Sequence, residues 1–484
     1  MKLYSKLRIV LLLTGAATLS ACMVGPRYNK PVAETPAAYK ETGDWKIAQP
    51  RDAIERGPWW EIFGDPQLNG LVQQIDVSNQ SVRVAEARLR QAQALVEQTR
   101  AGFFPTVSGT TGVTRSRTPN VSGASASSAA PANVYNLALN ASWAPDLWGN
   151  VRSAVDVNVA NAQTSAANLA GVRLLAQAQL AINFFQLRAW DSQRQLLETT
   201  VAAYRKSLDL TRNRYNAGVA ARSEVVLAET QLRSTQAQLI DVGVQRAQLE
   251  HAIAILVGKP PADFALAPSP APLALVVPVM PPGLPSELLE RRPDIAAAER
   301  QMAAANAQIG VAQAAYFPTL TLNGVFGFRA NTPQNWLVSP SRLWSVGPAL
   351  AETLFDGGSR DAVKKQTEAA YDANVATYRQ TILNAFKEVE DNLSALRILE
   401  AEAQIQDEAV RSSRLSTELT VNQYKAGTVN YLNVVAVQAT QFSNEATAVK
   451  LLGQRLVAAV ALVQALGGGW NGLTAAPTPQ QPER

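Results

Sequence analysis

The chain has 484 residues, 47% hydrophobic and 17% charged, with 44 basic against 39 acidic side chains, one cysteine and one histidine. A single thiol excludes an internal disulfide and, with a single histidine, a Cys/His metal site. So even a charge balance gives no support for a nucleic-acid binder, which needs a clustered basic face.

Lys2, Lys6 and Arg8 precede a short apolar stretch, Ile9 to Leu13, too short to cross a bilayer, so residues 1–21 read as a signal peptide. It ends in Leu19-Ser20-Ala21-Cys22, which resembles the bacterial lipoprotein box, and Cys22 is the only cysteine present. The resemblance implies acylation of Cys22 as the first mature residue, the only covalent group expected here, and two lipid signals suffice for stable anchoring. Met23 is not the aspartate that commonly retains such lipoproteins at the inner membrane. Losing three cations from 44 leaves 41 basic against 39 acidic residues. No run after Cys22 is expected to be long and apolar enough for a transmembrane helix.

Residues 22–66 are rich in Pro, Ala and charge and read as an extended segment. A first repeat follows over 67–258, a Pro-rich linker over 259–285, a second repeat over 286–469 and a tail over 470–484. Ser81 to Thr106, SVRVAEARLRQAQALVEQTRAGFFPT, returns 213 positions later as Asp294 to Thr319, DIAAAERQMAAANAQIGVAQAAYFPT. RYNAG (Arg214 to Gly218) returns as QYKAG (Gln423 to Gly427). A period this long marks a duplicated domain, not a solenoid.

Each copy reads as helix, strand, loop, strand, long helix, turn and return helix. In the first, Tyr135, Leu137, Leu139, Ala141 and Trp143 alternate with small or polar Asn136, Ala138, Asn140 and Ser142. In the second, Leu320, Leu322, Phe326 and Phe328 alternate with Thr319, Thr321 and Asn323, and Trp344, Val346 and Leu350 with Ser345 and Gly347. One face suits lipid and the other water, the pattern of a membrane β-barrel; a soluble two-layer sheet alternates in the same way. Four strands cannot close alone, and an open edge in lipid leaves backbone groups unpaired, so a barrel must be shared by two, three or four chains.

The helices carry apolar seams at spacings of three and four. They run through Leu197, Val201, Tyr204, Leu208, Thr211 and Tyr215; through Ile382, Phe386, Val389, Leu393 and Leu396; and through Leu432, Val435, Ala439, Phe442, Ala446, Val449, Gly453, Leu456, Val460 and Val463. A helix from Asn150 to Asn216 would be about 100 Å long at roughly 1.5 Å per residue. The run Gly467-Gly468-Gly469 reads as helix termination, since the Lys and Ser/Thr of a phosphate loop are absent.

WWEIFGDPQLNGLV (Trp59 to Val72), GLPSELLERRPDIAAAERQ (Gly283 to Gln301), the paired FPT and YxAG motifs and the closing LGGGW together resemble the outer membrane factors of the NodT and TolC-like superfamily. Within it they are similar to the lipoproteins serving resistance-nodulation-division efflux pumps. The resemblance spans essentially the whole mature chain, and RRPDI is its most specific part. It implies a mainly α chain with a membrane β-barrel. Three chains of four strands would make a homotrimeric twelve-stranded barrel in the outer membrane lipid, continued by a long periplasmic α-helical coiled-coil barrel. A periplasmic adaptor and an inner-membrane resistance-nodulation-division transporter would complete the pump, with this chain as a passive exit duct. Type I polypeptide secretion uses the same architecture, and a purely structural periplasmic coiled-coil lipoprotein is an alternative of another class.

In such proteins the hairpin tips hold a periplasmic gate. The tips here are Asn216 to Ala220 and Lys425 to Val429, with Gly218 and Gly427 for the sharp reversals. Tyr424 matches the family's tip tyrosine. The acidic and basic partners expected twelve and fifteen positions after it are Ala436 and Ala439, so closure is expected to rest on Tyr424, Tyr215, Asn430 and Asn433. No catalytic residues or metal ligands are expected. His251 falls in a helical seam region, Glu388 and Glu390 read as solvated or lumen-facing, and Arg291, Arg292 and Asp294 read as a helix start before an anion site.

Overall fold

Two helices of 67 residues and two of 35 carry most of the helix among the described residues, one of each length per copy. The computed structural model describes residues 24–32, 35–36, 38–42, 58–117, 131–269, 278, 288–470 and 472–473. The signal peptide, Cys22, much of the linker and most of the C-terminal tail lie outside the described residues. The first copy comprises α1 (Pro66–Ser78), α2 (Gln80–Arg100), β1 (Thr106–Ser116), β2 (Ala132–Trp143), α3 (Asn150–Asn216) and α4 (Arg222–Leu256). The second comprises α5 (Leu288–Arg291), α6 (Pro293–Ala314), β3 (Thr319–Ala330), β4 (Arg342–Ala351), α7 (Ser359–Lys425) and α8 (Tyr431–Ala465).

Within residues 22–66, Lys40–Thr42 and Trp59–Phe63 each form a single 3-10 turn. Trp59, Trp60 and Phe63 are buried, and the Phe63 ring lies 4.9 Å from Phe185. Asp65 then caps α1, accepting from the amides of Gln67 at 2.8 Å and Leu68 at 3.1 Å, with Pro66 at the first helical position. Burying three aromatic rings offsets the entropy of ordering a segment that composition alone marks as extended.

The chain divides into two compact units. The first, Met1–Val32, Leu89–Thr164 and Ala298–Tyr378, holds a four-stranded antiparallel sheet in the order β1-β2-β3-β4. Its register settles the two faces. Leu137 opposes Phe328, Leu139 opposes Phe326 and Trp143 opposes Leu322, while Phe326 opposes Trp344 and Leu320 opposes Leu350. From Leu139 to Trp143 on β2, and at the positions opposite on β3 and then β4, that face is apolar, and Trp344, Val346 and Leu350 stand 72%, 81% and 70% exposed on it. On the opposite face Asn140 donates to Thr110 at 3.3 Å and Ser142 to Asn323 at 3.1 Å. Exposed apolar side chains opposite a hydrogen-bonded polar face fit a sheet with lipid on one side and water on the other, and no second layer covers them among the described residues. The outer edges of β1 and β4 have no strand partner among the described residues.

The described residues of the second unit, Ala33–Arg88, Ser165–Ala297 and Arg379–Arg484, are mainly helical. Leu197, Tyr204, Leu208 and Thr211 of α3 and Ile382, Val389, Leu393 and Leu396 of α7 are buried at the seam spacing. On α8 the seam is buried from Gly453 onward, but toward the turn the buried face shifts by one residue, to Tyr431, Val434 and Gln438. Leu432 and Ala439 are exposed. Both faces satisfy a three/four spacing, and the aromatic face is the one that packs within the chain. α8 also passes the length and hydropathy test for a membrane-crossing helix, contrary to the expectation for residues after Cys22. Leu456, Ala458, Ala459, Val460, Leu462 and Val463 are buried in protein, so its apolarity is that of a core helix.

The roots of the helical hairpins repeat a joint. Asn79 donates to the Leu256 carbonyl at 2.8 Å and accepts from the Val82 amide at 3.1 Å. In the second copy Arg292 takes that place and donates to the Ala465 carbonyl at 2.9 Å. The RRPDI segment is therefore structural. Arg292 is held by both carboxylate oxygens of Asp294, at 3.0 and 2.7 Å, and by Glu388 at 2.8 Å, which leaves its charge matched within the chain. Glu390, expected to be solvated, accepts from the backbone amides of Lys40 at 2.7 Å and Glu41 at 3.0 Å and so fixes the N-terminal segment.

Candidate functional site

Both long hairpins reverse through the same hydrogen-bond pattern. The Gly218 amide donates to the Tyr215 carbonyl at 2.9 Å and Val219 to Arg214 at 2.9 Å; Gly427 donates to Tyr424 at 3.0 Å and Thr428 to Gln423 at 3.1 Å. This is the Schellman arrangement, in which the residue after the helix takes a positive φ. Gly218 has φ 77° and Gly427 φ 79°.

The two hairpins meet through an aromatic cluster of Tyr204, Leu208, Ala228, Leu232, Tyr424, Tyr431 and Val434. Tyr424 is its centre, 1% exposed, with its ring 5.5 Å from that of Tyr431. Its hydroxyl lies 3.3 Å from the Thr211 hydroxyl and 3.2 Å from Glu224. The Arg214 guanidinium sits 4.6 Å above the ring and donates to the Tyr424 carbonyl at 2.8 Å. Burial raises the pKa of the Tyr424 hydroxyl, and burial followed by the neighbouring Tyr424 pushes that of Tyr431 up to about 12. Both hydroxyls are therefore neutral donors at neutral pH. Gln438 adds a further link across the hairpins, donating to Ser207 at 3.1 Å.

The other expected tip residues are placed differently. Tyr215 is 43% exposed and outside the cluster, because α3 ends one residue later and its seam runs out at Thr211. Asn430 caps its own helix, accepting from the Asn433 amide at 3.2 Å, and the Asn433 side chain is exposed. Ala436 and Ala439 are exposed. The polar contacts to Tyr424 come instead from the first hairpin, through Arg214, Thr211 and Glu224. Their signal lies in the divergence of the copies: Arg214 stands where the second copy has Gln423, and Glu224 follows the first turn only. His251 is exposed, not in a seam, because the buried positions around it are Ile253 and Ala254. No group of three or more His, Cys, Asp or Glu side chains suited to a metal occurs among the described residues.

The family model for outer membrane efflux proteins matches residues 71–259 and 284–468, well over half of the chain. The chain belongs to the outer membrane efflux protein family. It is 31% identical over 459 residues to the pyoverdine export outer membrane protein OpmQ of Pseudomonas aeruginosa, covering 94% of this chain and 96% of that one. It is also 31% identical over 465 residues to the toluene efflux pump outer membrane protein TtgC of Pseudomonas putida, covering 94% of each. Among solved structures, the outer-membrane channel OprN matches with a TM-score of 0.86 at 30% identity, over 93% of this chain and 100% of that chain. In this family of transport channels the sheet lies in the outer membrane and the helical hairpins in the periplasm.

Proposed function

We propose that this chain is the outer membrane duct of a tripartite efflux pump, passing small molecules from the periplasm to the exterior. The observation that carries the reading is the four-stranded sheet, apolar on one face and polar on the other, with an edge on each side that has no strand partner among the described residues. Three chains supply twelve strands, and closure of each β4 on the next β1 pairs every edge. The helices make the same demand. Ile398, Ile405 and Leu419 lie on α7 at multiples of seven residues and are exposed in the single chain, so a neighbouring copy covers them in a shared tunnel.

Energy comes from an inner-membrane resistance-nodulation-division transporter reached through a periplasmic adaptor, and the chain itself has no catalytic role. One relative is named for pyoverdine and another for toluene, so cargo is set upstream of the duct. Purified trimer in planar bilayers is expected to conduct ions and to migrate anomalously until heated. A chain that shows neither is a structural lipoprotein and sinks the reading.

Cys22 is the proposed lipid anchor, attached after removal of residues 1–21. Replacing it with Ser is expected to abolish incorporation of labelled acyl chains while leaving barrel insertion intact. Persistent labelling of Cys22→Ser would place the lipid on another residue.

A further inference from the structure

The membrane sheet carries its charge at one end only. No acidic residue occurs between Glu97 and Asp146 or between Glu299 and Glu352, the two stretches that contain all four strands. The strands hold three charges, Arg115, Arg329 and Arg342, and Arg117 follows β1. All four side chains are exposed. Arg115 is the last residue but one of β1, Arg329 the last but one of β3, and Arg342 the first of β4. Each therefore sits at the loop end of its strand. The opposite ends of the sheet run into α2, α3, α6 and α7, so in the outer membrane the loop end is the external one.

Register separates these arginines by face. Arg342 opposes Phe328, which opposes Leu137, so it stands on the apolar, lipid-facing side. Arg115 shares the parity of Val113, which opposes Tyr135, and stands on the same side. Arg329 opposes Asn136 and faces the lumen. Aromatic rings accompany the lipid-facing pair: Tyr135 packs 5.6 Å from Trp336, and Trp344 lies two residues beyond Arg342. Trp143 lies eight residues from Tyr135 along β2, near the other end, roughly 26 Å away at about 3.3 Å per residue. At a strand tilt of about 40° that is roughly 20 Å along the membrane normal, so the two aromatic positions bracket most of the roughly 25 Å apolar band of a membrane barrel and Arg115 and Arg342 fall at its headgroup edge.

Arg115 and Arg342 also lie on the two edge strands, β1 and β4. When three chains close the barrel, Arg342 of one chain and Arg115 of the next come onto adjacent strands on the lipid face. We propose that each of the three seams between chains forms a site for a phosphate-bearing glycolipid headgroup of the outer leaflet, held by Arg342 of one chain and Arg115 and Arg117 of its neighbour. Charge complementarity favours this occupant: the seam holds two or three guanidiniums, and neither strands nor connecting loops contain a carboxylate to neutralise them. The inference rests on the trimeric barrel proposed above.

The test uses full-length trimer, stripped of lipid in detergent, incubated with diphosphoryl lipid A and read by native mass spectrometry. Wild type is expected to hold up to three lipid A molecules per trimer. Arg115→Gln with Arg342→Gln is expected to weaken binding by tenfold or more. Arg329→Gln, which removes one guanidinium per chain from the same end but from the lumen side, is expected to bind as wild type. Wild-type trimer that retains no lipid A, or a double variant that trimerises and binds unchanged, overturns the proposal, as does an equal loss in Arg329→Gln. Should the double Gln variant not trimerise, Arg115→Lys with Arg342→Lys is the deciding variant: with both charges kept, lipid A retention supports the site and its loss overturns it. A wild-type protein that is monomeric by mass contradicts the barrel reading itself, a result separate from lipid retention by an intact trimer.

Discussion

Gly467→Ala is expected to prevent accumulation of heat-stable trimer, whereas Gly218→Ala is expected to be tolerated. Both glycines follow a long-hairpin helix with positive φ, 92° at Gly467 and 77° at Gly218, so each substitution meets the left-handed penalty of about 1–2 kcal/mol. Their surroundings differ. A Cβ on Gly467 would lie 2.1 Å from the Arg291 carbonyl oxygen and 2.7 Å from its carbon, while nothing lies within 4 Å of one on Gly218. A backbone carbonyl cannot rotate away as a side chain can, and the neighbouring Arg292 is tied to Ala465, Asp294 and Glu388. The cost at Gly467 is therefore expected to exceed about 4 kcal/mol, the range reserved for combined strain and overpacking. Gly258, whose Cβ would meet the Ser78 carbonyl oxygen at 2.3 Å, makes the same joint in the first copy. The check is the temperature at which trimer converts to monomer on gels. Equal temperatures for Gly467→Ala and Gly218→Ala would show that the joint yields without cost.

That joint also shows which parts of the fold can be read from the sequence. The copies align on short motifs, and Asn79 and Arg292 are separated by the same 213 positions as the FPT motifs. Yet an asparagine and an arginine do not look equivalent. Their common role, donating to the last carbonyls of α4 and α8, depends on contacts 177 and 173 residues away in sequence. Strand faces were legible because a period of two leaves one choice of side, and helix ends because glycines with positive φ are needed there. The β2–β3 pairing that joins the copies into one sheet has no local signature. The tip was half legible. Tyr424 is where the motif places it, but the same motif points to Tyr215, which is exposed, and to asparagines that serve only their own helix. What selects between them is which side chain finds the facing hairpin, a property of packing and not of spacing.

We propose that the contact between the two hairpins at Tyr424 holds the duct closed, so Tyr424→Ala is expected to raise the open probability in planar bilayers by roughly tenfold or more. The side chain joins the second hairpin to the first through Thr211, Glu224 and Arg214 and packs on Tyr431. Removing a buried aromatic ring costs about 3–5 kcal/mol in a packed core. The cavity is partly filled on relaxation, and the change in open population reflects only contacts that differ between states, so even about 1.4 kcal/mol of it gives the tenfold shift. Tyr424→Phe separates packing from hydrogen bonding. It keeps the ring and the Arg214 contact and loses the hydroxyl bonds, with an expected effect of about 0.5–1.5 kcal/mol. Arg214→Ala is expected to resemble Tyr424→Ala in direction, since it removes both the bond to the Tyr424 carbonyl and the cation over its ring. Asn430→Ala should lower the stability of α8 by about 1 kcal/mol through its cap and leave conductance unchanged, because its side chain bonds within its own helix. Unchanged conductance in Tyr424→Ala trimers that melt as wild type would remove the tyrosine from the gate. Opening by Asn430→Ala and not by Arg214→Ala would instead return closure to the second hairpin alone.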